Sequence, residues 1–200
     1  MEKNNRSIQD YLSLGYLYIL ALGILHDAIY YGFMGINILK YSNILDVLLS
    51  PIVYIADHLL ILVALVIMVI FLLVFFFYQP KLHARYKEKE WYKKSFNVKK
   101  LDEQFEKMHN VNGIVLLTSI MVFSFFIGSA LGSGGSMAEK LKNKEFKPDT
   151  TILFSDTEER EVRVIGQNTE FVFYVEEGET TVTAAPIKGN IKQMRPIEME

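Results

Sequence analysis

The stretch from Leu59 to Tyr78, LLILVALVIMVIFLLVFFFY, contains no charged residue, no glycine and no proline. At about 1.5 Å of rise per residue, it forms a helix about 30 Å long, which matches the hydrocarbon thickness of a bilayer. A soluble helix that is apolar on every face must be enclosed by a large protein, and this chain has 200 residues. The stretch therefore predicts a membrane-spanning helix.

Two further apolar runs lie on either side of this helix, so the fold class predicted is an α-helical membrane protein with three transmembrane helices and a small C-terminal all-β domain. Ser7 or Asp10 is expected to begin the first helix, Ser50-Pro51 the second, and Asn110 or Asn112 the third. The predicted divisions are 1–51 for the first transmembrane helix with an interfacial or re-entrant segment (42–49), 52–80 for the second transmembrane helix, 81–110 for a basic helical segment, 111–131 for the third transmembrane helix, 132–148 for a linker and 149–200 for the β-domain.

The linker prediction rests on GSGGS at 132–136, whose composition is typical of flexible segments. Beyond it the hydrophobic period changes to two, which indicates strands. Five short strands are predicted, at 152–154, 161–165, 169–176, 180–184 and 187–192, with a hairpin turn at Glu177-Gly178. This pattern favours a half-open barrel or sandwich, with Phe171, Phe173 and Val175 in its core.

The charge distribution predicts how the chain is oriented in a bacterial inner membrane. Residues 79–110 contain 9 Lys or Arg and 5 Asp or Glu, whereas the segment from Asp149 onward contains 5 and 11. Because basic loops stay in the cytoplasm, 79–110 and the N-terminus are expected there, and 32–50 and the β-domain outside. Four lysines after the third span favour the reverse orientation: Lys140, Lys142, Lys144 and Lys147.

Four ionisable residues lie within or near the spans as two pairs, His26-Asp27 and Asp57-His58. In an antiparallel hairpin of the first two helices, both pairs would lie at a similar depth near the outer face. Ionisable groups within a membrane usually pair, face a bundle interior or line a wet path. Two interpretations stay open. The functional one is an ion path, a proton relay or a metal site; the structural one is hydrogen bonds that clamp the hairpin, or solvation in the headgroup layer. Zinc is less favoured, since the spacing is unspecific.

The third span carries small residues at intervals of four: Ser124, Gly128 and Gly132. Small residues at this spacing let transmembrane helices approach closely. They therefore predict helix packing in a homo-oligomer, with this face also a candidate pore lining.

The segment 81–110 interleaves cations with aromatic rings. This combination is typical of surfaces that stack single-stranded nucleic acid or nucleotides, and equally of helices that lie on anionic lipid. The juxtamembrane position favours lipid. The candidate contact residues are Arg85, Lys87, Trp91, Tyr92, Lys93, Lys94, Lys99 and Lys100.

No catalytic motif is found, because the chain has no P-loop, no G-x-S-x-G and no H-E-x-x-H. The chain also has no cysteine, which excludes disulfides and thiolate metal sites. We therefore expect neither an enzyme nor a cofactor or metal ion.

The span 59–78, the loop GINILKYSNILDVLLSP (35–51) and the tail IGQNTEFVFYVEEGETTVTAAPIKGNI (165–191) together resemble small bacterial membrane effectors of anti-phage defence, such as the HalA channel component of Hailong systems. The tail also resembles small Sm-like or SH3-like barrels. The resemblance covers most of the chain at the level of architecture, without a diagnostic motif. It implies an oligomeric pore gated by a cytoplasmic nucleotide or oligonucleotide.

The function expected is thus a homo-oligomeric ion channel or membrane-disrupting effector. If the β-domain lies outside, the basic segment 81–110 is the remaining cytoplasmic candidate for binding a soluble ligand. The alternative is a non-conducting, membrane-anchored scaffold or receptor whose β-domain binds a protein partner that the sequence does not identify.

Overall fold

The computed structural model describes residues 8–108 and 111–197. Ser7 and Asn110, two of the residues predicted to begin helices, lie outside those ranges, and Asp10 lies in the first turn of its helix. The described helices are α1 (Ile8–Gly32), a short 3-10 helix (Ile38–Lys40), α2 (Ile44–Asp57), α3 (Leu59–Tyr86), α4 (Glu90–Ser95), α5 (Val98–Met108) and α6 (Val111–Lys142). The strands are β1 (Thr150–Phe154), β2 (Glu159–Gln167), β3 (Phe171–Glu176), β4 (Thr183–Pro186) and β5 (Ile191–Pro196).

Three helices are long and apolar enough to cross a membrane, at Gln9–Gly32, Leu59–Tyr86 and Gly113–Lys142. The predicted fold class is therefore confirmed. The chain separates into two compact units, which we call the first unit (Met1–Tyr54 with Phe126–Glu200) and the second unit (Ile55–Phe125).

The second span begins later than predicted. Pro51 lies inside α2 rather than at the start of the span, and the chain breaks at His58 before α3 begins at Leu59. A proline in a helix leaves the carbonyl four residues earlier without its usual N–H donor, here that of Val47. This carbonyl faces Gly23 of α1, where an added Cβ would overlap its oxygen. The absence of a side chain at Gly23 thus allows α1 to approach α2 closely beside Pro51.

Residues 132–136 are not a flexible linker, because α6 continues through GSGGS to Lys142. Glycine weakens a helix, but a tertiary contact supports the helix here. Gly134 is buried against Tyr30. The connection to the sheet is correspondingly short, from residue 143 to residue 149.

The β-domain is an open antiparallel sheet with strand order β4-β3-β2-β1-β5, and it does not close into a barrel. Each predicted strand overlaps an observed one. The predicted turn is also present, since Gly178 has φ +80° and the N–H of Glu179 donates to the carbonyl of Glu176 at 3.1 Å. Both edge strands, β4 and β5, end in a proline, Pro186 or Pro196.

Both faces of the sheet are buried. One face packs against the ends of two spans, so that Phe173 and Val175 contact a cluster containing Tyr31 of α1 and Leu141 of α6. Phe171 is half-buried against the same cluster, which confirms the predicted core. The other face forms a second cluster, made of Ile152, Phe154, Val162, Val172, Tyr174 and Ala185.

Hydrogen bonds fasten the β2–β3 loop to the start of α2. Asn43 and Asp46 cap α2 reciprocally, with N–H···O distances of 3.0 Å and 2.9 Å. Asp46 also accepts from the hydroxyl of Thr169 at 2.9 Å, and the side-chain amide of Asn168 donates to the carbonyl of Tyr41 at 3.0 Å. The segment 32–50 and the β-domain therefore lie together, as the predicted topology requires; the side of the membrane that they occupy stays a prediction.

Candidate functional site

His26 is the most deeply buried polar residue among the described residues. It lies six residues before the end of α1, and its side chain is 3% exposed. The ring of Tyr54 lies 4.2 Å from the imidazole, between centroids, and the ring of Phe126 lies 6.0 Å away. An apolar span and two aromatic rings thus enclose an imidazole near the end of the membrane helix.

One imidazole nitrogen has a partner. His26 Nδ1 lies 3.0 Å from Oδ1 of Asp27, and because a carboxylate accepts, the N–H is assigned to Nδ1. The hydroxyl of Ser50, on α2, donates to the same oxygen at 2.7 Å. Asp27 is itself mostly buried, and this short charge-assisted bond is of the stronger kind. We call His26, Asp27 and Ser50 the span-end cluster.

The other nitrogen, His26 Nε2, is buried without a hydrogen-bond partner among the described residues. With the proton on Nδ1, Nε2 has a lone pair that no donor of the described residues meets. A buried polar atom left in this state costs free energy, about 1–3 kcal/mol, so Nε2 is a candidate to bind a partner that the described residues do not supply.

The span-end cluster does not have the geometry of a hydrolase. In a serine–histidine–aspartate triad the imidazole accepts from the serine hydroxyl. Here Ser50 donates to Asp27 rather than to His26. The Ser50 hydroxyl and the His26 imidazole both donate to the same oxygen, Asp27 Oδ1. The cluster is suited to holding a proton, a water molecule or a cation rather than to activating a nucleophile.

Of the four ionisable residues predicted to lie together, His26 and Asp27 lie within α1, whereas the other two lie at the break between α2 and α3. Asp57 is the last residue of α2 and His58 the N-cap of α3, so both lie at a helix break and not inside a span. Both side chains are exposed. They belong to the second unit and His26-Asp27 to the first, so their meeting stays a prediction.

The small-residue face of α6 is uncovered. Outside its own helix turn, a Cβ added at Gly128 or Gly132 would meet no atom of the described residues within 4 Å. Ser124 is exposed, and its hydroxyl donates to the carbonyl of Ile120 at 2.8 Å. By contrast, a Cβ at Gly134 would lie 2.9 Å from Cδ2 of Phe33. Gly134 therefore packs against the described residues of the same chain, whereas the predicted face with Gly128 and Gly132 does not.

The basic segment folds into α4 and α5, and most of its predicted contact residues are on the surface. Tyr92 differs from the others, because its hydroxyl lies 3.0 Å from Nδ1 of His83. The exposed side chains are those of Arg85, Trp91, Lys93, Lys94, Lys99 and Lys100, with Lys87 half-buried.

Sequence reasoning missed His83, which joins three helices of the second unit. Its Nε2 lies 2.9 Å from Oδ1 of Asp102 on α5, and its Nδ1 accepts from Tyr92 on α4. The side chain is 6% exposed, and the ring of Phe105 lies 5.0 Å away. One signal was present: His83 continues the helical face of Leu72 and Phe76, the buried residues of α3.

A charged cluster on the sheet is structural. Arg160 pairs with Glu158 and with Glu176, both at 2.9 Å, and lies over the ring of Phe154. The hydrogen bond to Glu158, followed by that to Glu176, raises the pKa of the Arg160 guanidinium further above its usual range. Burial raises the pKa of the nearby Tyr174 hydroxyl. Both groups keep one protonation state at physiological pH, so they offer no acid or base.

No group of three or more His, Asp or Glu side chains suited to a metal ion occurs within 8–108 and 111–197. Comparison with protein-family models, with curated proteins and with solved structures finds no match to this chain. The resemblance to anti-phage effectors and to Sm-like barrels therefore stays a prediction, and the candidate site rests on its own geometry.

Proposed function

We propose that this protein is a homo-oligomeric membrane channel, or an effector that permeabilises the membrane by assembling such a pore. The observation that carries the proposal is the span-end cluster, with its buried and unpartnered His26 Nε2. An ionisable group is retained within an apolar span at a cost that function usually explains. Water or a cation in a pore would provide the partner that His26 Nε2 does not have among the described residues.

The spans themselves support assembly. Within one chain, 17% of the most apolar window of the first span is buried, and 11% of the windows of the second and third. The open face at Ser124, Gly128 and Gly132 is suited to close contact with a helix of another copy. Assembly through α6 would leave the apolar α3 towards lipid.

Reconstituted full-length protein tests the proposal. We expect an oligomer by native mass spectrometry in detergent, discrete conductance in planar bilayers, and a cation preference that Asp27→Asn lowers. The bilayer measurements include nucleotides and short single-stranded oligonucleotides, because the resemblance implies that such ligands gate the pore. A monomer that conducts no ions and releases no dye under any of these conditions would contradict the proposal.

Two glycine substitutions separate assembly from folding. Gly128→Leu enters open space, so it should abolish the oligomer and the conductance while the chain keeps its thermal stability. Gly134→Leu is the matched control on the same helix, because its side chain would displace Phe33 and Tyr30 and lower stability directly. Equal oligomer formation by wild type and Gly128→Leu would exclude this face from the assembly.

The second candidate is a non-conducting scaffold or receptor, and the open sheet favours it. Strands β4 and β5 each leave one edge without a described partner strand, and a peptide can add to such an edge. A stoichiometric complex of the full-length protein with a second protein, found together with silent bilayers, would select this function.

A further inference from the structure

The end of α3 extends beyond the apolar run into the zone of lipid headgroups. His83 lies five residues after Tyr78, which is about 7.5 Å along a helix. The headgroup layer adds about 5–8 Å on each side of the hydrocarbon. The ammonium of Lys81 also lies 5.9 Å from the ring of Tyr78, a pairing suited to this interface. His83 is therefore placed at headgroup depth when α3 spans the bilayer.

His83 fixes α4 and α5 at the same depth. Its hydrogen bonds to Tyr92 and Asp102 hold one residue of each helix against the end of α3. All three helices lie in the second unit, so the arrangement is internal to one compact body. The surface that α4 and α5 present is thus held beside the membrane.

This surface combines apolar rings with cations. Trp91 is 54% exposed and Phe96 is 49% exposed, although both are large apolar side chains beside a membrane span. Between the two helices lies an open concavity of about 610 Å³, lined by residues 93–99. Lys93, Lys94 and Lys99 line this concavity, and Lys100 follows Lys99 on α5; all four lysines are exposed. We call these four lysines with Trp91 and Phe96 the basic collar.

We propose that the basic collar binds anionic phospholipid, with the headgroup phosphate against the lysines and the two rings inserted at the boundary of the acyl chains. Depth decides between lipid and a soluble nucleic acid. Both ligands match cations and aromatic rings, but only lipid headgroups fill the layer in which His83 holds the collar. One collar lysine, Lys93, also has an exposed ion pair with Glu88 at 3.4 Å, which is weak enough for a phosphate to displace.

The single tryptophan of the chain makes the proposal directly measurable, because Trp91 is the collar's own reporter. Full-length protein is reconstituted in mixed phosphatidylcholine and phosphatidylglycerol vesicles. In parallel samples, one or the other lipid carries brominated acyl chains, which quench tryptophan on contact, at equal mole fraction. We expect phosphatidylglycerol around Trp91 to be enriched about fivefold over the bulk, the factor that one lysine near an anionic surface contributes.

Two quadruple variants with the same change of charge provide the test and its control. K93Q/K94Q/K99Q/K100Q should reduce the enrichment to about one while brominated phosphatidylcholine still quenches Trp91, which shows that the collar remains at the membrane. K140Q/K142Q/K144Q/K147Q removes four exposed lysines of the first unit and should leave the enrichment unchanged.

Equal quenching by the two lipids in the wild type would overturn the proposal. So would an emission that neither lipid quenches but that a single-stranded oligonucleotide shields from acrylamide, since the collar would then bind nucleic acid in the aqueous phase. Neither result depends on conductance, so the lipid site and the proposed channel are tested separately.

Discussion

His26 and His83 are both buried imidazoles that hydrogen-bond a carboxylate, but their second nitrogens differ. His83 has a partner on each side, Asp102 and Tyr92, and joins three helices. His26 has Asp27 on one side and no partner among the described residues on the other. A satisfied buried histidine stabilises a fold, whereas a buried nitrogen without a described partner requires another explanation, such as a bound water molecule or ion. The two sites thus divide into one structural and one functional candidate.

The largest loss of stability is expected for His83→Phe. The variant keeps an aromatic ring but removes both hydrogen bonds, one of them to a carboxylate. Since Asp102 is half-exposed and recovers hydration, we expect the free energy of unfolding to fall by about 2–3 kcal/mol. Thermal unfolding of the full-length protein in detergent measures this loss. An unchanged midpoint of thermal unfolding would contradict a structural role for His83.

Ser50→Ala should have the next largest effect. Asp27 loses a donor at 2.7 Å in a mostly buried setting, and hydrogen bonds to charged groups contribute about 1.5–3 kcal/mol. We expect a loss of about 2 kcal/mol in the same unfolding measurement. Ser124→Ala is the control, because its hydroxyl is exposed and donates only to its own helix. Equal stability of the two variants would show that Ser50 does not hold Asp27.

Tyr92→Phe removes one of the two hydrogen-bond partners of His83, so its effect separates the contribution of Tyr92 to stability from that of Asp102. The ring remains against Phe96, and the lost hydroxyl is a neutral donor to Nδ1, so the expected cost is about 1 kcal/mol. Proteolysis within residues 87–97 should accelerate in proportion if the loss is local. A cost equal to that of His83→Phe would mean that the Tyr92 bond, rather than the Asp102 bond, joins the helices.

The smallest effect on stability is expected for His26→Phe. The substitution removes the hydrogen bond to Asp27, which lowers the free energy of unfolding. It also removes the buried Nε2 that has no described partner, which raises it, so the two contributions should offset to within about 1 kcal/mol. If the protein is the proposed channel, its ion conductance should nevertheless change, since Nε2 is absent. A loss of stability as large as that of His83→Phe, with unchanged conductance, would reverse the distinction between the two histidines.

The sequence could predict what depends on composition and period. The uniform apolarity of 59–78 identified a span, and the period of two around Phe171, Phe173 and Val175 identified a strand and its buried face. These signals are local, because each residue contributes through its own side chain and its place in a repeat.

What the sequence could not predict depends on contacts between distant segments. Pro51 lies within α2, where the Val47 carbonyl closely approaches Gly23 of α1, and GSGGS stays helical because Gly134 packs on Tyr30. The partners of His83 come from two other helices, at no recognisable spacing. Tertiary contacts of this kind override propensity and composition.

Because α6 is one continuous helix, the third span and the segment under the sheet are not joined by a flexible linker. Gly128, on the open face, and Leu141, buried under the sheet, belong to one helix and hold a fixed angular phase. Each residue of a helix advances that phase by about 100°. One residue inserted within 132–136 would therefore turn the open face through about 100° relative to the sheet, and four would nearly restore it, whereas a flexible tether would absorb either insertion. The direction of the open face is therefore set by the packing of Leu141 under the sheet.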